Sequence, residues 1–95
     1  MLKEAEQHTQ EELIETLDGI SNSEKLILYN DDVNTFDHVI ECLVRICNHE
    51  ELQAEQCALL VHFKGKATVK TGERGDLIAM CQALCDEGLS AVIGE

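Results

Sequence analysis

Basic residues are scarce in this chain: seven Lys and Arg stand against nineteen Asp and Glu, a formal charge of −12 at pH 7. Such a surplus repels phosphate backbones and anionic bilayers at physiological salt, so nucleic acid and membrane are not expected as partners. Long apolar runs are absent too. None approaches the roughly 18 residues of a membrane span, and the first residues lack the basic-then-apolar order of a signal peptide. A cytoplasmic location is expected. Paired cysteine motifs are also missing: Cys42, Cys47, Cys57, Cys81 and Cys85 are odd in number and fall on apolar faces of expected helices. Buried free thiols are the simplest reading. A zinc site built from Cys42 or Cys47 with His49, or from Cys81 with Cys85, lacks a two-plus-two ligand spacing, so neither a metal nor another cofactor is expected.

What is present fits one small domain with a thin two-layer core and binding at its surface. Residues 1–23 carry Glu4, Glu6, Glu11, Glu12, Glu15 and Asp18 against Lys3, with a weak helical repeat at Leu13, Leu17 and Ile20. They read as an acidic, flexible extension ending in a linker at Gly19 to Ser23, followed by a folded domain over residues 24–95.

Lys25 to Tyr29 is short, apolar and bounded by turn residues, as a strand is. Asn34 is positioned to cap the next helix, with Asp37 at the reciprocal place, and Phe36, Val39, Ile40, Leu43 and Cys47 form its apolar face. Asn48-His49-Glu50 interrupts the pattern. A second helix from about Glu51 carries Ala54, Cys57, Ala58 and Val61 on one stripe and stops at Gly65. Lys66 to Thr71 alternates like a half-exposed strand. A third helix from about Glu73 buries Leu77, Ile78, Cys81, Leu84 and Cys85, and Leu89 to Ile93 is a last strand. The expected class is α+β, in the order β-α-α-β-α-β, with three helices on one face of a small sheet.

If the first two helices pair antiparallel, the end of the second returns beside the start of the first. His62 then faces Asn30 and Asp31. An ammonium group needs three acceptors, and a carboxylate, an amide oxygen and a neutral imidazole nitrogen supply them. Phe36, Val39, Ala58 and Val61 would line an apolar hollow beside them, a combination suited to the N-terminal residue of a peptide. Each piece also has a plain structural meaning, as a solvated turn, a helix-end histidine and core stripes.

The run L-I-L-Y-N-D-D-V-N-T-F-D-H-V-I from Leu26 to Ile40, followed by A-L-L-V-H-F-K-G-K-A from Ala58 to Ala67, resembles the ClpS family. These are adaptors of the Clp ATP-dependent protease that recognise N-degrons. The likeness extends from Lys25 to Glu95 and implies the same fold, with a three-stranded antiparallel sheet. It implies a binding module without catalysis, which presents proteins with a bulky apolar N-terminal residue to the N-terminal domain of a Clp AAA+ unfoldase of the ClpA or ClpC type. By the resemblance, Asn30, Asp31 and His62 match the ligands of the substrate α-ammonium. Asp32, Asn34, Phe36, Val39, Ala58 and Val61 match positions that form or rim the side-chain pocket, and Ala91 falls where a late pocket leucine usually lies.

The family usually has threonine, proline and methionine where this chain has Asn34, Thr35 and Phe36, and methionine where it has Ala58. The pocket is therefore reshaped and its preference is not inherited. Gly75 to Met80 also lacks the E-x-A-E-x-K charges with which the family usually contacts its unfoldase. Two rivals remain. One is a domain that binds a protein partner without reading N-terminal residues; the other is a hydrolase pairing Cys57 with His62, disfavoured because their spacing puts them on different helix faces and no oxyanion hole is evident.

Overall fold

The computed structural model describes residues 23–94; the acidic extension expected over residues 1–23 lies, apart from Ser23, outside them, as does Glu95. The elements follow as β1 (Glu24–Tyr29), α1 (Phe36–Cys47), α2 (Glu51–Lys64), β2 (Lys66–Gly72), α3 (Arg74–Asp86) and β3 (Ser90–Gly94). The sheet order is β2-β1-β3 with both pairings antiparallel, which is the expected α+β arrangement.

Strand β1 is central because its alternate residues serve the core. Leu26 and Leu28 are buried, while Ile27 between them is only half-buried, on the other side of the pleat. Ala67 and Val69 of β2 and Ala91 of β3 join the same face, against which Leu43, Cys47, Ala54, Val61, Leu77 and Leu84 pack from the helices. A register shift between Leu26 and Ile27 interrupts the β1–β2 ladder.

The helix ends explain the chain's reversals. At the start of α1 the cap is Thr35, not Asn34: its hydroxyl accepts from the His38 amide at 3.0 Å. Asn34 is withdrawn from capping because its side chain bonds elsewhere, as described below. Asn48 ends α1 in the left-handed region at φ 60°, which asparagine tolerates. His49 follows it into the core, where its ring donates to the Val69 carbonyl at 2.7 Å, while Lys70 Nζ donates to the Cys47 carbonyl at 2.9 Å. These two bonds fasten the connection between α1 and α2 onto β2. Gly65 closes α2 at φ 95°, a backbone conformation that a Cβ would strain, and its amide donates to Val61.

Two stripes depart from expectation. Of the residues assigned to the buried face of α3, Leu77 and Leu84 are buried and Cys81 is half-buried, but Ile78 and Cys85 are exposed, since the helix rests on the sheet along a narrower line. In α1, Cys42 joins Leu43 and Cys47 as fully buried, and Phe36 lies at the surface.

Leu43 is among the largest fully buried side chains of this thin core, so replacing it should be costly. Leu43→Ala is expected to lower the unfolding free energy by about 3 kcal/mol, read as a lower urea midpoint with an unchanged slope.

Candidate functional site

The β1–β2 pairing of Tyr29 with Lys66, extended by one further backbone bond, sets the geometry of the site. The Asn30 amide, one residue past β1, donates to the carbonyl of Gly65 at 2.9 Å, so the end of the central strand is held against the end of α2. His62, one turn before Gly65, is thereby brought to the Asn30-Asp31-Asp32 turn. A cavity of about 450 Å³ opens there, within the range of small-ligand clefts. Its polar rim is Asn30, Asp31, Asp32, Asn34 and His62, and its apolar wall is Phe36, Val39, Ala58 and Val61.

The wall residues come from the facing sides of two helices. Ala58 and Val61 lie one turn apart on α2 and are almost wholly buried, Val39 of α1 is half-buried, and Phe36 at the first turn of α1 is 41% exposed, as a residue at a mouth is. The His62 ring stands edge-on to Phe63, with centroids 4.8 Å apart.

Asp31 is the most constrained member of the rim. Its Oδ1 accepts from the amides of Val33 at 2.9 Å and Asn34 at 3.0 Å, closing the turn by its own side chain. The Asn34 side-chain amide donates to both oxygens, at 3.2 and 2.9 Å, and also to the Gly88 carbonyl at 2.8 Å. Asn34 thus ties the carboxylate to the turn between α3 and β3. The Asn34 backbone amide holds the Asp31 carboxyl below its ordinary value; burial opposes it as the next largest influence, and the Val33 amide and the Asn34 and Ser90 side chains add to the lowering. Oδ2 carries one of these bonds against three on Oδ1, which leaves acceptor capacity for a cationic donor.

The structure brings together all the residues singled out from the sequence except Ala91. Ala91 sits opposite Leu28 on β3, in the core, and its carbonyl accepts from the thiols of Cys81 at 3.3 Å and Cys85 at 3.5 Å. Leu89 is buried just before β3 and lines a small void next to the cavity with Leu28, Val39 and Val61. The signal for Leu89 was modest: an apolar residue directly after Gly88, before the strand begins. Cys57 packs against the core instead of lining the cavity, and burial pushes its thiol up, away from the nucleophilic thiolate that catalysis needs.

Residues 19–91 match the family model described as ATP-dependent Clp protease adaptor protein ClpS. The ATP-dependent Clp protease adapter protein ClpS of Synechocystis sp. is 34% identical over 91 residues, covering 95% of this chain and 93% of that protein. The protein of the same name from Thermosynechococcus vestitus is 36% identical over 67 residues, 70% of this chain and 71% of the relative. Among solved structures, Agrobacterium tumefaciens ClpS2 bound to L-phenylalaninamide shares the fold, with a TM-score of 0.70 at 22% identity over 76% of this chain and 94% of that one.

Because the folded-state value of Asp31 is depressed, the stability it contributes is present above its unfolded value and is lost as pH falls through the folded one. Asn34→Ala removes the side-chain donor but keeps the backbone amide, which is the larger cause. The Asp31 carboxyl is therefore expected to titrate higher than in the parent chain yet still below an ordinary aspartate, as followed by its carboxyl carbon chemical shift.

Proposed function

Since the chain belongs to the ClpS family of ATP-dependent Clp protease adaptors, we propose that it binds proteins through a free, bulky apolar N-terminal residue and hands them to a Clp AAA+ unfoldase of the ClpA or ClpC type. The observation that carries this reading is the cavity's division into an acceptor rim around Asp31 and an apolar wall between two helices. A terminal α-ammonium would meet the Asp31 carboxylate, the Asn30 amide oxygen and a neutral His62 nitrogen, while its side chain enters the hollow beside Val39, Ala58 and Val61. The chemistry of L-phenylalaninamide, an ammonium next to an aromatic side chain, supports the same reading by analogy with the Agrobacterium protein.

The binding energy is of a sensible size for a delivery module. One large apolar side chain contributes roughly 1.5–3 kcal/mol and each charge-assisted bond about as much, so about micromolar affinity remains after ordering costs. Phe36 adds bulk at the mouth while Ala58 takes little room at the wall. The preferred residues are therefore Phe, Tyr, Trp and Leu, with β-branched Ile and Val disfavoured near Phe36. The unfoldase contact is expected to differ in detail from the family's usual one, because Gly75, Asp76, Leu77, Ile78, Ala79 and Met80 stand where its charges usually lie.

Fluorescence anisotropy with peptides differing only at residue one tests the reading directly. Phe, Tyr, Trp and Leu peptides should bind, Ile and Val should bind at least tenfold more weakly, and acetylation of the amino terminus should abolish binding. Equal affinity for acetylated and free peptides would leave a domain that binds a partner without reading N-terminal residues.

Asp31→Ala should weaken binding by at least thirtyfold, since removing one partner of a desolvated charge pair costs on the order of 2–5 kcal/mol. Because Asp31 also closes its turn, His62→Ala is the companion variant; it should weaken binding roughly tenfold while leaving the circular dichroism spectrum unchanged.

A further inference from the structure

Behind the rim of the cavity, His38 and Cys42 lie four residues apart and so share one face of α1. The His38 Nε2 and Cys42 Sγ atoms are 3.6 Å apart. A tetrahedral zinc ion with bonds of about 2.0–2.1 Å to nitrogen and about 2.3 Å to sulfur holds those two atoms about 3.5 Å apart. The pair therefore already stands at the separation that one edge of a zinc tetrahedron requires. Glu87, from the end of α3, supplies a third group, and ligand atoms of His38, Cys42 and Glu87 all lie within 4.8 Å of one another.

We propose that His38, Cys42 and Glu87 form a zinc site that clamps the start of α1 to the turn between α3 and β3, with water in the fourth position. Thiolate, imidazole and carboxylate together are a donor set that zinc accepts, and the two anionic ligands balance its charge. The thiol is fully buried, whereas the Glu87 side chain is 37% exposed, which gives the ion an approach from solvent. Burial pushes the Cys42 thiol up, so the ion must displace its proton, which leaves to solvent as the zinc–sulfur bond forms, and two contacts yield on loading. His38 Nε2 now donates to the Glu87 carbonyl at 3.0 Å, so the ring moves its proton to Nδ1 to free the ligand atom. Glu87 also meets the Arg45 guanidinium at 3.4 Å, a surface ion pair of little strength to displace.

The spacing departs from the pairings that the sequence invited. His49 is turned into the core toward Val69, and Cys81 and Cys85 share the Ala91 carbonyl, whereas His38 was not on that list at all. The clamp lies next to the Asn34 bond to Gly88, so the same turn would be fixed from two sides.

Cobalt(II) serves as a visible probe for zinc in the full-length protein. One equivalent should give the intense visible bands of a four-coordinate ion together with a thiolate-to-cobalt charge-transfer band, and zinc should displace it. Cys42→Ala should remove the charge-transfer band, and His38→Ala should weaken cobalt binding at least tenfold. A Cys81→Ala/Cys85→Ala double variant should leave both intact. His38 is only half-buried, so its variant remains informative should Cys42→Ala fail to fold. Absence of four-coordinate bands, bands indifferent to His38→Ala, or bands lost with Cys81 and Cys85 would each overturn the assignment.

Discussion

The hydrogen bond from the Asn30 amide to the Gly65 carbonyl is the joint on which the rest of the cavity depends. It unites the first residue beyond the central strand with the left-handed glycine that ends α2. The pairing of Tyr29 with Lys66 in the β1–β2 ladder brings these two ends together, and the joint extends that pairing by one residue so that the acidic turn stands beside His62. With it, a carboxylate, an amide and an imidazole ring the mouth of an apolar hollow whose wall is the seam between α1 and α2. The seam is itself a product of packing, because small Ala58 and Val61 leave the room that larger core residues would fill.

A second tie makes the rim rigid. Asn34 could have capped α1, as its position suggests, but Thr35 performs that task and releases the Asn34 amide to hold the Asp31 carboxylate against Gly88. Asp31, braced by two backbone amides and this side chain, presents its charge in a fixed direction. Preorganised acceptors of this kind lose less freedom when a ligand arrives, which favours affinity from a small contact area. The cost falls on backbone donors and acceptors that are satisfied within the turn, so nothing polar is stranded by the arrangement.

Much of the fold was legible because its elements carry strong local signals. The apolar spacing of α1, the Gly65 stop and the alternation of β2 each arise from interactions within a few residues, and the boundaries agree closely with those read from the pattern. Errors arose where two neighbours compete for one task or where a helix face is narrower than its apolar residues. Asn34 and Thr35 both suit an N-cap, and the outcome rested on the distant Gly88 carbonyl. Ile78 and Cys85 look like core members of α3 but fall just outside the line of contact with the sheet.

The sequence by itself determined the element order, the acidic surface and the identity of the groups around Asn30, Asp31 and His62, since each follows from residue chemistry at short range. Tertiary structure decided how the segment after α3 is used: Leu89, just before β3, is buried and lines a small void beside the cavity, while Ala91 stands opposite Leu28 in the core. It also decided that His38 meets Cys42 and Glu87. The His38–Cys42 half of that meeting follows from their i,i+4 spacing on α1, but the approach of Glu87 from the end of α3 is encoded by no local spacing. The turn at Asn30 to Asp32 acquires its meaning in the same way, from the helix end that the β1–β2 pairing and the Asn30–Gly65 bond hold against it.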